Sequence, residues 1–206
     1  MIGIVDYGMG NLLSVKNAIE FLGYDAEYVN VDSDFNDFEK IILPGVGAFP
    51  DCMRNLNENG FTDLLNLQVI QNRKPILGIC LGMQVMASFG LENGKTEGFG
   101  WFDGIVQKMD VTDSNLRIPH VGWADIETKD HFIFEGLCKN TDFYFVHSYH
   151  IECNNENNVI ATINHGKVFT AAVAKDNIIG CQFHPEKSQE SGLIVLKNFI
   201  TKNFNA

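Results

Sequence analysis

The hydrophobic pattern changes rhythm along the chain, and the changes mark out its elements. "MIGIVDY" is a short apolar, β-branched run and predicts a strand. In "NLLSVKNAIEFLG" the residues Leu12, Val15, Ile19 and Leu22 recur at helical spacing. With Asn11 as N-cap and Gly23 as stop, this predicts a helix. "AEYV" and "KIILPG" read as strands, the second halted by Pro44. Residues 49–73 carry helical pattern with a break near Gly60. "PILGIC" reads as a buried strand and "LGMQVMASFG" as the helix after it. Such alternation implies a parallel sheet covered on both faces.

The second half keeps a different rhythm. From "GFGWFDGIVQKM" to "IIGCQFHPE", short aromatic and β-branched runs are separated by polar turns such as "NNENN" and "NHGK". They predict antiparallel strands added to the parallel core. "SGLIVLKNFITKNF" closes the chain as a helix with Leu193, Leu196, Phe199 and Ile200 on one side. With no repeat, low-complexity tract or linker, residues 1–206 read as one domain.

Composition narrows the function. A net charge of -11 disfavours nucleic acid or an anionic membrane as main partner. No apolar run approaches bilayer length, and the N-terminus lacks a signal peptide's basic flank, so a soluble cytoplasmic protein is expected. Cys52, Cys80, Cys138, Cys153 and Cys181 are odd in number and show no CxxC spacing. Neither a disulfide framework nor a zinc site is suggested, and no cofactor is implied.

One cysteine has a special setting. "GICLG", Gly78 to Gly82, places Cys80 between glycines, after a strand and before a helix. This is the thiol version of the strand–turn–helix elbow that presents a nucleophile. The sharp turn forces a strained backbone, and side chains beside it would strike neighbouring elements, hence the glycines. At a helix N-terminus, unpaired amides and the dipole favour thiolate, and the Leu81 amide is placed to bind a developing oxyanion. The competing reading is that Cys80 is a small buried hydrophobe, and for the other four cysteines that reading wins.

A nucleophilic thiol needs a base, and "QFHPEKS" supplies one with its orienter. Pro185 pushes His184 toward extended backbone. Residues two apart in such backbone share a side, roughly 6.5–7 Å apart, so Glu186 can hold the His184 imidazole. Alone, "HPE" reads as a loop histidine beside a solvated charge; with the elbow in the same chain, a catalytic pair gains weight. In "LPGVGAF", Gly45 and Gly47 flank Val46 in a loop after a parallel strand. Its peptide can rotate cheaply and offer a second oxyanion donor, although a plain tight turn looks the same.

Together "LPGVG", "GICLGMQ" and "FHPEKS" resemble the triad-type, class I glutamine amidotransferases in order and spacing over nearly the whole chain. "DYGMGNLLSV", "RIPHVGW" and "YFVHSY" resemble, within that family, the subunits that serve histidine biosynthesis. The resemblance implies an α/β fold, a flavodoxin-like three-layer sandwich, and hydrolysis of glutamine by Cys80, His184 and Glu186. It implies an oxyanion hole from Leu81 and the Val46–Gly47 region, and a glutamine pocket with Gly45, Gln84, His147, Ser148 and Tyr149. It also implies a heterodimer with a (β/α)8 cyclase that receives the ammonia, with Asn11, His120, Trp123, Tyr144 and Lys187 near the junction. The "PGVG" loop is a sensible switch, since a donor facing away disables chemistry without moving the triad.

Two positions depart from the histidine-pathway pattern. Ala124 stands where asparagine is usual, and His150 where a tyrosine or small residue is common, both expected near the partner face. They leave open a paralogue that supplies ammonia for amidination of a bacterial surface sugar. A non-enzymatic thiol sensor or scaffold of this fold would be expected to lack "HPE" or the pocket residues. A cysteine peptidase of this fold would carry histidine where this chain has Leu81.

Overall fold

A computed structural model of the chain describes residues 1–111 and 116–204. Its centre is a nine-stranded sheet. The strands are β1 (Ile2–Val5), β2 (Ala26–Val29), β3 (Lys40–Gly45), β4 (Ile76–Cys80), β8 (His120–Thr128), β9 (Asp142–His147), β11 (Val159–Asn164), β12 (Val168–Lys175) and β13 (Ile178–Cys181). Their order is β2-β1-β3-β4-β13-β12-β11-β8-β9. The first five are parallel neighbours in the flavodoxin-like order, and the remaining four extend the sheet antiparallel.

Period-two alternation sends the parallel strands' side chains into two cores. On one face Ile4, Ile42, Leu77 and Ile79 meet Val15 and Ile19 of α1 (Leu12–Phe21) and Leu196 and Phe199 of α5 (Gln189–Thr201). On the other, Val5, Ile41 and Leu43 meet α2 (Phe49–Glu58) and α3 (Phe61–Leu65). Gly60, at φ +75°, makes the break between α2 and α3. Beyond α3 the chain continues as a π-helix over Asn66–Gln71. Asn11 stands at the N-cap of α1, but its side chain makes no capping bond.

The main departure from the sequence pattern follows Cys80. "LGMQVMASFG" is not one helix: α4 (Leu81–Gln84) makes a single turn, and the chain re-extends as β5 (Ala87–Gly90). β5 joins β6 (Thr96–Glu97), β7 (Phe102–Lys108) and β10 (Tyr149–Cys153) in a second sheet of order β10-β7-β5-β6. Tertiary packing overrides the helical spacing here. A Cβ on Gly90 would lie 2.6 Å from the Phe49 ring, and one on Gly98 would lie 2.3 Å from Ala87 O. The segment is pressed flat between α2 and its own sheet. Among the described residues, no helix is long and apolar enough to cross a membrane.

Candidate active site

The site forms where the carboxyl ends of three adjacent parallel strands come together, the usual place in open α/β sheets. β3 ends at Gly45, paired with Cys80 at the end of β4, while Cys181 at the end of β13 pairs with Ile79. The loop "PGVG", the thiol and the "QFHPE" segment thus lie side by side, although the chain separates them widely.

Cys80 is buried and sits at φ 55°, ψ -110°, a strained setting for an L-residue and the one the elbow requires. The flanking glycines are there for close approach. A Cβ on Gly82 would stand 1.8 Å from Leu43 O, and one on Gly78 2.6 Å from the Met86 methyl. With α4 only one turn long, little helix dipole reaches the sulfur. What remains of the expected helix effect is the unpaired first-turn amides, Leu81's among them.

His184 has extended backbone, and its Nδ1 lies 2.8 Å from Glu186 Oε1. The pair forms as expected but by another route. Pro185–Lys187 is a 3-10 turn, which carries the carboxylate back under the ring, so the separation expected of an extended strand does not apply. Both side chains are almost wholly buried, and His184 Nε2 and Glu186 Oε2 make no hydrogen bond among the described residues. Burial lowers the imidazole pKa, but Cys80 and Glu186 outweigh it and raise it to about 9. Cys80 and His184 line the same cavity.

Two further contacts reach the sulfur. Gln182 Nε2 donates to it at 3.6 Å, and the thiol faces Val146 O at 3.9 Å. Gln84 Nε2 donates to Tyr149 O and to Gln182 Oε1, both at 3.0 Å. Beside the thiol opens a cavity of about 370 Å³, a small-molecule size, lined by Val46, Gly47, Leu81, Gln84, His147, Ser148 and Tyr149 together with Glu92 and Val146. Val46 and Gly47 (φ +109°) border the cavity, and Gly45 before them is buried at the end of β3. A Cβ on Gly45 would stand 2.7 Å from Gly82 N and 2.8 Å from Tyr7 Oη, so Gly45 allows β3 to meet α4. The buried Tyr7 hydroxyl donates to Pro44 O at 2.9 Å and pins the base of the same loop.

The residues expected at a partner junction divide. Trp123 and Tyr144 are cross-strand partners with rings edge to face at 6.1 Å, and Lys187 Nζ lies 5.9 Å over the Tyr144 ring. Trp123, Val121 and Val46 are exposed, and Asn11 is half-buried at the start of α1. His120 does not join them. On β8 it points opposite to Val121, is buried, and lies with Nδ1 3.3 Å from His147 Nε2. His147 Nδ1 lies 2.9 Å from Tyr149 O, which can only accept, so His147 carries its proton on Nδ1 and His120 donates to its Nε2. Burial lowers His147 to about 3 and His120 to about 4, and both are neutral at pH 7. Ala124 and His150 also turn inward. Ala124 packs against the core, and His150 is buried with its ring 4.8 Å from Phe169.

Glu92, Gln182 and Tyr7 went unnoticed in the sequence. Only Gln182 left a signal, standing two residues before His184 and so on the same side of an extended segment. Glu92 borders the cavity only because β5 re-extends; its Oε2 accepts from Phe49 N at 2.8 Å. The other cysteines behave as structural thiols where burial governs them. Burial pushes Cys52 up to about 12 and Cys153 to about 11. The described residues hold no cluster suited to a metal ion.

Residues 3–203 match the family described as glutamine amidotransferase class-I. The chain is similar to imidazole glycerol phosphate synthase subunit HisH of Leptospira borgpetersenii, 45% identical over 98% of this chain and all of that one. It is 46% identical to the subunit of the same name from Sulfurimonas denitrificans, over 97% of each chain. Among solved structures it resembles a glutamine amidotransferase (TM-score 0.75, 19% identity, 97% of this chain and 99% of that one). It also resembles a chain of PurLQS from Thermotoga maritima (TM-score 0.71, 20% identity, 97% and 96%).

Proposed function

The chain belongs to the class I glutamine amidotransferases, and we infer that it is the glutamine-hydrolysing subunit of imidazole glycerol phosphate synthase, serving histidine biosynthesis. The relatives that carry this name match it from end to end at 40–46% identity. The single observation that supports the chemistry is a buried, strained thiol next to an imidazole held by a carboxylate at 2.8 Å, at the end of a cavity of small-molecule size.

Cys80 Sγ attacks the carbonyl carbon of the glutamine side-chain amide with its proton already passed to His184, whose raised pKa holds it there. The carbonyl oxygen becomes an oxyanion, which the amides of Leu81 and Gly47 bind. His184, held by Glu186, gives its proton to the amide nitrogen. The C–N bond breaks, ammonia leaves, and a glutamyl thioester remains. Water then attacks the thioester with His184 as base, releasing glutamate and the thiol. Glu92 meets the substrate's α-ammonium, and the Ser148–Tyr149 backbone meets its α-carboxylate. Gln84, with its amide nitrogen already committed, shapes the pocket wall.

Ammonia released into neutral water is mostly protonated and no longer nucleophilic, so it has to pass directly to a second site. The receiver is a (β/α)8 cyclase docked over the cavity mouth. The exposed side chains of Val121, Trp123 and Val46, with the Lys187–Tyr144 contact beside them, offer the apolar and aromatic surface such an interface uses. The "PGVG" loop is the switch: rotation of the Val46–Gly47 peptide supplies or withdraws the oxyanion donor. Cys80→Ala tests the reading in the assembled complex. Glutamine-dependent product formation should vanish and ammonia-dependent formation persist; retention of the first, or equal loss of both, refutes it.

A further inference from the structure

Gln182 touches the reacting sulfur, and the scheme above gives it no task. It is fully buried, and an amide so placed must be matched atom by atom. Its polarity is set from a distance. Tyr149 O can only accept, so Gln84 presents its nitrogen there, at 3.0 Å. The second hydrogen of that nitrogen goes to Gln182, which must therefore present its oxygen, at 3.0 Å. Gln182 is left with its own nitrogen facing Cys80 Sγ, at 3.6 Å. The same Tyr149 carbonyl also receives Nδ1–H of His147, so the whole chain of bonds is anchored in the wall of the cavity.

We propose that Gln182 is a further catalytic residue, a fixed hydrogen-bond donor to the Cys80 sulfur that acts on the thiolate more than on the thiol. With the proton on sulfur, Cys80 has two weak polar neighbours, the Gln182 amide as donor and Val146 O as acceptor. Once the proton has gone to His184, the Val146 carbonyl has nothing to accept, while the N–H···S bond becomes charge-assisted and roughly twice as strong. The donor is already oriented, so ionisation requires no reorganisation of the site. The gain arises only on the way to the transition state, which places its effect on kcat more than on KM. The relay also ties the nucleophile's donor to the strand that lines the glutamine pocket, β10, through the carbonyl of its first residue.

This proposal rests on Cys80 being the nucleophile, and the experiment separates the two ideas. Gln182→Met keeps the length and removes the donor; Gln182→Glu keeps the shape and turns an oxygen toward the sulfur. Both are assayed in the complex with the cyclase subunit, for glutamine turnover, ammonia-dependent turnover and the rate of Cys80 alkylation by iodoacetamide. For Gln182→Met, kcat with glutamine and the alkylation rate should each fall about tenfold, the scale of one hydrogen bond to a charged group, with KM within about twofold and ammonia-dependent turnover unchanged. Gln182→Glu should be worse in both. Equal kcat and alkylation rate in wild type and either folded variant overturns the proposal. So does loss of ammonia-dependent turnover in both variants, since Gln182 would then hold the fold and not the sulfur. If alkylation of the wild-type complex leaves glutamine turnover intact, the nucleophile assignment itself is wrong, and the proposal goes with it.

Discussion

Gly82→Ala is the substitution whose consequence the geometry fixes most tightly. The added Cβ would lie 1.8 Å from Leu43 O, where real Cβ atoms essentially never come closer than 3.0 Å. The end of β3 and the α4 turn must therefore part by about 1.2 Å, and the obstructing atom is backbone, which no rotamer change can move aside. Overpacking that side chains can absorb costs about 1–3 kcal/mol, so a backbone collision belongs at about 3 kcal/mol or above. At about 2–4 °C per kcal/mol for a chain of this size, the melting temperature should fall by about 6–12 °C. The moving strand leads straight into the loop of Val46 and Gly47, so the proposed oxyanion donor moves with it. Gly23→Ala is the control, because its Cβ would meet nothing within 4 Å and only the backbone conformation at φ +84° is strained, at about 1–2 kcal/mol. Calorimetry of both variants, with glutamine- and ammonia-dependent turnover of each complex, decides the matter. Gly82→Ala should melt lower than the control and lose glutamine-dependent turnover while keeping the ammonia-dependent reaction. A variant that melts with the control and hydrolyses glutamine at the wild-type rate would show that close approach at the elbow is not what glycine is for.

Glu186→Gln keeps the hydrogen bond to His184 and removes the charge. The rise of the imidazole from 6.5 to about 9 is about 3 kcal/mol shared between Cys80 and Glu186, so kcat should drop about 10- to 100-fold with KM little changed; an unaltered kcat counts against the pair. The same raised value adds stability that is complete below pH 6.5 and disappears as pH rises through about 9. Denaturant titrations should show wild type weakening over that range and Glu186→Gln weakening less, because Cys80 still raises the imidazole. On the acid side His120 and His147, buried neutral, withdraw stability as pH falls below 6.5 toward about 4 and 3. Glu92→Gln should raise KM for glutamine about tenfold and spare kcat, the pattern of lost ground-state binding; a kcat effect alone would remove Glu92 from the substrate's α-ammonium.

Local chemistry carried much of this protein in its sequence. The elbow was legible at Cys80 because a strained nucleophile needs glycines on both sides, and the structure supplies the collisions that demand them. The His184–Glu186 pair was legible because Pro185 limits the backbone before it, and the two side chains are only two residues apart. The parallel order of the first half followed from strand and helix rhythms, which local periodicity determines. Tertiary structure decided what depends on residues distant in sequence. The helical spacing of "LGMQVMASFG" yielded to packing against Phe49 and the second sheet, and that re-extension brought Glu92 to the cavity. Alternation along β8 turned His120 inward, where His147 needed a donor, and left Trp123 exposed. Gln182 shows the limit most clearly. Its place beside His184 follows from a two-residue period, but which of its amide atoms meets the sulfur is settled by a carbonyl on another sheet, through a bond to Gln84 that no local pattern encodes.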